Sequence, residues 1–138
     1  MNLDLKKASL SQFLEFKTLY YDKIDFTTVK SSWELLSKKI NLPFVIHLVG
    51  TNGKGSTGRF LSHYLYKKGF KTLHYSSPHI LKLNERIWIN GKDSSNSNLQ
   101  NANTKLQEIL PLNLLEKLTY FEYITLVAFV LSSNFDYL

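Results

Sequence analysis

One short stretch, "HLVGTNGKGST" at residues 47–57, constrains the fold of this chain more than any other. It holds three of the six glycines and follows the apolar run "FVIHLV" at residues 44–49. A run that is apolar on both faces predicts a central strand of a parallel sheet. Residues 56–68 then show helical apolar spacing and end in a cationic turn before Gly69. Strand, glycine turn and helix together form the context in which backbone N–H groups bind phosphate.

The residue types in this turn suit a nucleotide. Glycine lets the backbone approach the phosphate oxygens, and Lys54 is placed to reach the β- and γ-phosphates. A hydroxyl just beyond it, on Ser56 or Thr57, is a candidate magnesium ligand. The usual G-x-x-x-x-G-K-[ST] pattern is not matched literally, because Gly55 follows the lysine. A glycine-rich turn without a ligand therefore stays an alternative, whereas a P-loop kinase would usually show the full pattern.

The rest of the chain alternates between segments with helical apolar spacing and extended segments. Helical spacing is found over residues 9–20, 29–40, 98–110 and 119–133, and extended segments over residues 71–77 and 85–91. This alternation predicts an α/β fold, a P-loop NTPase-like parallel sheet flanked by helices. The final "NFDYL" is typical of the start of a further strand. We therefore expect residues 1–138 to be an incomplete N-terminal ATP-binding domain, with a helical lead-in at 1–42 and the α/β portion at 43–138.

Composition excludes several classes of protein. The 138 residues contain no cysteine, so disulfides and thiolate metal sites are excluded. The net charge of +6 comes from seventeen basic residues spread along the chain, which does not indicate a nucleic-acid partner. The longest apolar run, residues 124–131, is far below the roughly 20 residues that span a bilayer. Since no secretory signal is visible either, we expect a cytoplasmic protein that binds no membrane, and its oligomeric state stays open.

Four ordered blocks carry a specific resemblance. "GTNGKGST" at residues 50–57 resembles the phosphate loop of the Mur ligase superfamily, in the form typical of folylpolyglutamate synthase and dihydrofolate synthase. "YSSPHI" at 75–80, "NERIWINGK" at 84–92 and "TYFEYIT" at 119–125 resemble the next blocks of that family, in order and at similar spacing. The similarity covers residues 43–138, and the first forty residues match only loosely.

The resemblance implies a site that holds ATP, Mg2+ and a folate-type substrate. The ATP phosphates would lie on Asn52, Gly53, Lys54, Gly55, Ser56 and Thr57, with Lys54 as the catalytic residue. Magnesium would be held by Ser56 and Ser77. The substrate would contact Ser77, Pro78, His79 and Arg86, in a loop at residues 77–86 that closes over the pterin, and Phe121 would pack on its ring.

Several of these residues have a structural alternative. Ser77 before a proline is also an ordinary turn former, and Phe121 on an apolar helix is also a core residue. Glu122 is either a cap or an ion-pair partner, or else part of the site. For Arg86, a pairing in the neighbourhood of Glu85 and a contact with a substrate carboxylate are both open.

The activity that the resemblance implies is amide ligation. ATP phosphorylates a carboxylate of folate or dihydropteroate, and L-glutamate attacks the acyl phosphate. The family's further magnesium ligands, its lysine that is often carbamylated, and its glutamate-binding domain lie outside these 138 residues, so we expect the isolated chain to be inactive. Alternatives are another Mur-type amino-acid ligase and a nucleotide-binding module without ligase activity. Whether the parent adds the first glutamate, extends the polyglutamate tail or does both stays open.

Overall fold

The computed structural model describes residues 4–17 and 26–138. Their helices are α1 (Leu10–Glu15), α2 (Thr27–Leu36), α3 (Lys54–Lys67), α4 (Asn96–Ile109), α5 (Leu112–Lys117) and α6 (Tyr120–Ser132). The strands are β1 (Leu73–Tyr75), β2 (Ile87–Ile89) and β3 (Lys92–Asp93), and one 3-10 turn covers Leu83–Arg86. The first helix is predicted over residues 9–20, and residues 18–20 of that prediction lie outside the described residues. Contacts divide the chain into two compact units.

The first unit comprises Met1–Ile40 and Ser97–Leu131 and is helical. Its first helix is capped by Ser9, whose hydroxyl accepts the Gln12 N–H while the Gln12 side-chain oxygen accepts the Ser9 N–H. The core is built from fully buried side chains of several helices, because each helix presents one apolar stripe. These side chains include Phe13, Leu36, Leu106, Leu110, Leu115, Tyr123, Ile124 and Val127.

Tyr123 is the centre of this core. Its ring stacks on Phe13 with 4.0 Å between centroids, and its hydroxyl donates to Asn103 Oδ1 at 2.7 Å. Asn103 in turn donates to the Ala8 carbonyl at 3.0 Å. Each of these buried polar groups therefore has a partner, as a stable core requires. The helix predicted at residues 119–133 is present as α6, and most of its apolar side chains are buried.

The second unit comprises Asn41–Asn96 and Ser132–Leu138. β1, β2 and β3 form an antiparallel sheet in that order, with Leu73 opposite Ile89 and Trp88 opposite Asp93. Parallel pairing is present at two bridges, because Tyr137 pairs with Phe44 on one side and with Thr72 on the other. The last residues thus pair with extended backbone, as the sequence predicted, and this unit combines a sheet with helix α3 in an α/β fold.

One expectation about residues 44–49 is wrong for the described chain. We expected a central strand buried on both faces, but Phe44 is 68% and Val49 87% exposed. Among the described residues, this segment pairs on one side with the last residues of the chain. The Phe44 N–H donates to the Asp136 carbonyl at 2.9 Å, and the Ile46 N–H donates to the Leu138 carbonyl at 2.8 Å. Because apolar side chains stay exposed when nothing covers their face, the sequence pattern overstated the burial of this segment.

Candidate functional site

The glycine loop leads directly into α3, as predicted. Gly53 caps the helix with φ of 73°, a left-handed conformation that costs an L side chain about 1–2 kcal/mol. Its carbonyl accepts the Thr57 N–H at 2.9 Å, which closes the first helical turn. Residues 51–57 are all exposed. Since first-turn N–H groups have no acceptor inside an α-helix, the start of α3 presents them to an anion in the solvent.

Lys54 lies over this loop. It is the first residue of α3, and its ammonium donates back to the Gly50 carbonyl and, at 3.4 Å, to the Thr51 carbonyl. The positive charge is therefore held against the loop backbone and remains exposed. A phosphate that bound to the loop amides would therefore lie close to the Lys54 ammonium group and be attracted by its charge.

Close packing joins α3 to the sheet. Gly58 is buried on α3, and a Cβ there would lie 2.4 Å from His74 Nε2 and 3.0 Å from Leu48 Cδ1. Only glycine fits so close an approach. Burial, and to a smaller extent the nearby Arg59 guanidinium, lowers the pKa of His74 to about 4. This histidine is consequently a neutral packing residue at physiological pH.

A single carboxylate organises the segment before the 3-10 turn. Glu85 accepts the backbone N–H groups of Ile80 at 2.9 Å, Leu81 at 3.1 Å and Lys82 at 2.9 Å. These hydrogen bonds, that of Ile80 first, hold the pKa of Glu85 below its usual value. The peptide between Ser77 and Pro78 is cis, and both residues are exposed. Glu85 thus fixes the backbone just beyond the predicted substrate residues.

Two of the predicted substrate residues contact each other. Arg86 Nε donates to His79 Nδ1 at 2.8 Å, and Arg86 is only 9% exposed. The structure therefore joins both ends of the segment at residues 77–86. Arg86 thus has a structural partner, His79, that the sequence did not predict, and its role in substrate binding stays a prediction.

The residues "YFEY" belong to the first unit and differ sharply in exposure. Phe121 is 51% exposed, while Glu122 is 7% exposed. Glu122 Oε2 accepts the Thr119 N–H at 2.9 Å and the Thr119 hydroxyl at 3.0 Å. This is the capping arrangement of a helix N-terminus, so the structure supports the cap among the alternatives for Glu122. Phe121 is not a core residue, and its contact with a pterin stays a prediction.

The part of the chain that the structure describes contains neither a metal-binding cluster nor a membrane-spanning helix. No three His, Asp or Glu side chains there lie close enough together to hold a metal ion. Likewise, none of the helices within residues 4–17 and 26–138 has the length and apolar character to cross a membrane.

Sequence reasoning missed three residues that shape this region. Glu85 was noticed only as a neighbour of Arg86, and neither the contacts of Arg59 nor the packing role of Gly58 was expected. A glycine inside a helix is a known signal of close packing, so Gly58 could have been found. The partners of Arg59 and Glu85 depend on how the chain folds back, which leaves no local pattern.

The fold and the loop together define the class: an α/β protein of the P-loop NTPase-like kind, whose glycine-rich loop follows an extended segment bridged at Phe44 and opens helix α3. No family model matches the chain. A dihydrofolate synthase/folylpolyglutamate synthase of Haemophilus influenzae is 37% identical over 131 residues, which is 92% of this chain and 29% of that protein. The chain belongs to the dihydrofolate synthase/folylpolyglutamate synthase family, as the sequence blocks predicted.

Solved structures agree in fold. The folylpolyglutamate synthetase of Helicobacter pylori matches with a TM-score of 0.82 and 38% identity over 93% of this chain and 33% of that one. The Escherichia coli protein in complex with DHPP and ADP matches at 0.76 and 30%, over 96% and 32%. The bifunctional synthase of Yersinia pestis, complexed with AMPPNP and Mn, matches at 0.79 and 28%, over 99% and 34%. The chain thus spans about a third of the length of the relatives it matches.

Proposed function

We propose that the protein to which this chain belongs is an ATP-dependent ligase that adds L-glutamate to a carboxylate of folate or dihydropteroate. The observation that carries the proposal is the loop at residues 50–57, which ends in a left-handed glycine and opens a helix whose first residue is lysine. Family membership supplies the reaction class, and the loop supplies the place where the nucleotide would bind.

The nucleotide would lie with its phosphates on the loop. The N–H groups at the start of α3 point toward an anion, and residues from Asn52 to Thr57 are exposed to receive it. Lys54 already lies across the loop carbonyls and would exchange those contacts for the β- and γ-phosphates. Its charge offsets the charge that develops during phosphoryl transfer, an effect worth the most in a site that excludes water.

A divalent metal fits the donors of this chain only in part. The hydroxyl oxygens of Ser56 and Ser77 are hard ligands of the kind that Mg2+ or Mn2+ accepts, and both residues are exposed. The remaining ligands would be waters and nucleotide phosphates, because residues 4–17 and 26–138 contain no cluster of three acidic or histidine side chains that could hold a metal ion. When bound, the metal would neutralise phosphate charge.

The folate-type substrate would lie against the segment at residues 77–86. Ser77, Pro78 and His79 begin it and Arg86 closes it, with Arg86 bonded to His79. Between them Ile80 is 90% and Leu81 83% exposed, so the segment offers apolar side chains to an aromatic ring. Phe121, half exposed on α6 of the first unit, remains a separate candidate for contact with the pterin ring.

The chemistry proceeds in two displacements. The substrate carboxylate oxygen attacks the γ-phosphorus of ATP, and ADP leaves with the electron pair of the broken P–O bond. The glutamate amine then attacks the acyl carbon, loses a proton, and expels inorganic phosphate as the amide forms. The residues of this chain would position the phosphates, and the whole protein would have to exclude water from the acyl phosphate, which hydrolyses readily.

The proposal is tested on a chimera that joins this chain to the remaining two thirds of the Haemophilus influenzae relative. We expect glutamate incorporation that depends on ATP and on dihydropteroate or folate, and an acyl phosphate that hydroxylamine traps as a hydroxamate. Lys54→Ala should lower the rate by about 100-fold or more, as loss of a key transition-state charge does. The isolated chain should show no turnover.

Product analysis distinguishes the alternatives. A preference for UDP-linked peptides over pteroates would indicate another Mur-type ligase, and a phosphorylated hydroxyl would indicate a kinase. ATP binding by a well-folded chimera without any hydroxamate would contradict ligation and leave a nucleotide-binding module.

A further inference from the structure

Arg59 makes four contacts that reach away from its own helix. Its Nε donates to His74 Nδ1 at 3.3 Å, and its Nη2 donates to the Glu85 carbonyl at 3.2 Å. The guanidinium carbon lies 5.2 Å from the centre of the Trp88 ring, and Nη1 is 3.9 Å from Asp93 Oδ1. One planar side chain thus contacts β1, the 3-10 turn, β2 and β3 from α3.

These contacts connect two parts of the site that the sequence separates. Arg59 stands five positions after Lys54, on the helix whose first turn faces the proposed phosphates. Glu85, whose carbonyl it holds, fixes the backbone of residues 80–82 through its carboxylate. The next residue, Arg86, bonds His79. Hence the guanidinium connects helix α3, which begins at the glycine loop, with the segment at residues 77–86.

We propose that Arg59 is a positioning residue that holds the segment at residues 83–93 against α3, so that the substrate segment keeps a fixed place relative to the glycine loop. That the glycine loop binds a nucleotide and the segment binds a folate-type substrate rests on the proposed function, whereas the contacts of Arg59 between α3 and residues 83–93 do not. The guanidinium fork is required because its separate N–H groups donate in different directions at the same time, which an ammonium cannot reproduce.

An ordinary surface ion pair would not have this role. Arg59 and Asp93 side chains are 39% and 48% exposed, and an exposed pair at 3.9 Å contributes little. The hydrogen bonds to His74 and to the Glu85 carbonyl, together with the ring contact, are the interactions that tie the elements together. The experiment must therefore separate the fork from the charge.

The test uses the ligand-free chain and three variants. Arg59→Gln removes the fork and the charge, Arg59→Lys keeps the charge, and Lys68→Gln removes a charge from the far end of α3, where Lys68 contacts Tyr64 of its own helix. Hydrogen exchange is followed at the amides of Ser76 and Ser94, which bond Arg86 O at 2.9 Å and Ile87 O at 2.8 Å. Titration of His74 by NMR gives an independent spectroscopic readout.

We expect both amides to exchange about tenfold faster in Arg59→Gln and in Arg59→Lys, and at the wild-type rate in Lys68→Gln. The pKa of His74 should rise in Arg59→Gln but much less in Arg59→Lys, since the lysine keeps the repelling charge. Exchange within twofold of wild type in Arg59→Gln would overturn the proposal. Full recovery of slow exchange in Arg59→Lys would overturn the requirement for the fork.

Ligand binding separates this proposal from the proposed function. In the chimera we expect Arg59→Gln to keep its MgATP affinity within about threefold and to lose about tenfold in affinity for dihydropteroate. Equal losses for both ligands would contradict a role specific to the substrate segment. If the wild-type chimera bound neither ligand, the proposed function would fail, while the exchange rates of the ligand-free chain would still decide the role of Arg59.

Discussion

Replacing Gly58 with alanine tests the packing that places the glycine loop. The new Cβ would lie 2.4 Å from His74 Nε2, 2.9 Å from His74 Cδ2 and 3.0 Å from Leu48 Cδ1. Forcing such contacts in a packed region costs about 1–3 kcal/mol. Alanine returns up to about 1 kcal/mol through its higher helix propensity. The His74 ring is bonded to Arg59 and must move, so we expect a net loss of about 1 kcal/mol.

The assay is urea unfolding followed by circular dichroism at pH 7, and Gly55→Ala is the matched control. Gly55 lies on the same helix, but a Cβ there meets no heavy atom of the described residues within 4 Å. That control should be neutral or up to about 1 kcal/mol more stable than wild type. A Gly58→Ala chain that is stabilised as much as Gly55→Ala would refute the claim that α3 packs on His74.

Three further predictions concern single groups. Thr119→Ala should cost about 1–2 kcal/mol in urea unfolding, because it removes the hydroxyl that caps α6 and that donates to the buried Glu122, while the backbone N–H of residue 119 remains as a donor; an unchanged midpoint would contradict this. Glu85→Gln should speed amide exchange at residues 80–82 several-fold, and a wild-type pattern would show that the carboxylate is dispensable. His74 is neutral in the folded chain down to about pH 4 but is protonated below 6.5 when unfolded, so stability should fall as pH drops from 6.5 to 4. His74→Gln should flatten that fall by about 1–2 kcal/mol after allowance for solvent screening, and an identical profile would contradict the shift.

Part of this fold could be predicted from the sequence because it depends on residues that are close together along the chain. The cap at Ser9, the glycine loop and the buried helix α6 each follow from residue types within one or two turns of chain. The alternation of helical and extended patterns indicated the α/β fold, and the four blocks indicated the family. In each case the signal and the structure lie close together along the chain, which is why a pattern could carry it.

Other features depend on contacts between distant residues. Helix α5 was missed because Leu112–Lys117 is only six residues long, too short for a periodic signal. The exposure of Phe44 and Val49 was missed because an apolar run does not say which of its faces is covered. The guanidinium of Arg59 and the carboxylate of Glu85 find partners that the fold brings to them. Periodicity contains no information about such pairings.

The most direct test of the account is a titration of the chain with MgATP, followed by NMR at the backbone amides. We expect the largest shifts at residues 50–57, and a loss of affinity of about tenfold or more in Lys54→Met, since one charge-assisted contact to phosphate is worth about that much. Lys68→Gln, which removes a lysine at the other end of the same helix, should bind as the wild type does. Unchanged loop amides at saturating MgATP, or equal affinity in Lys54→Met, would contradict the claim that this loop is a nucleotide phosphate site.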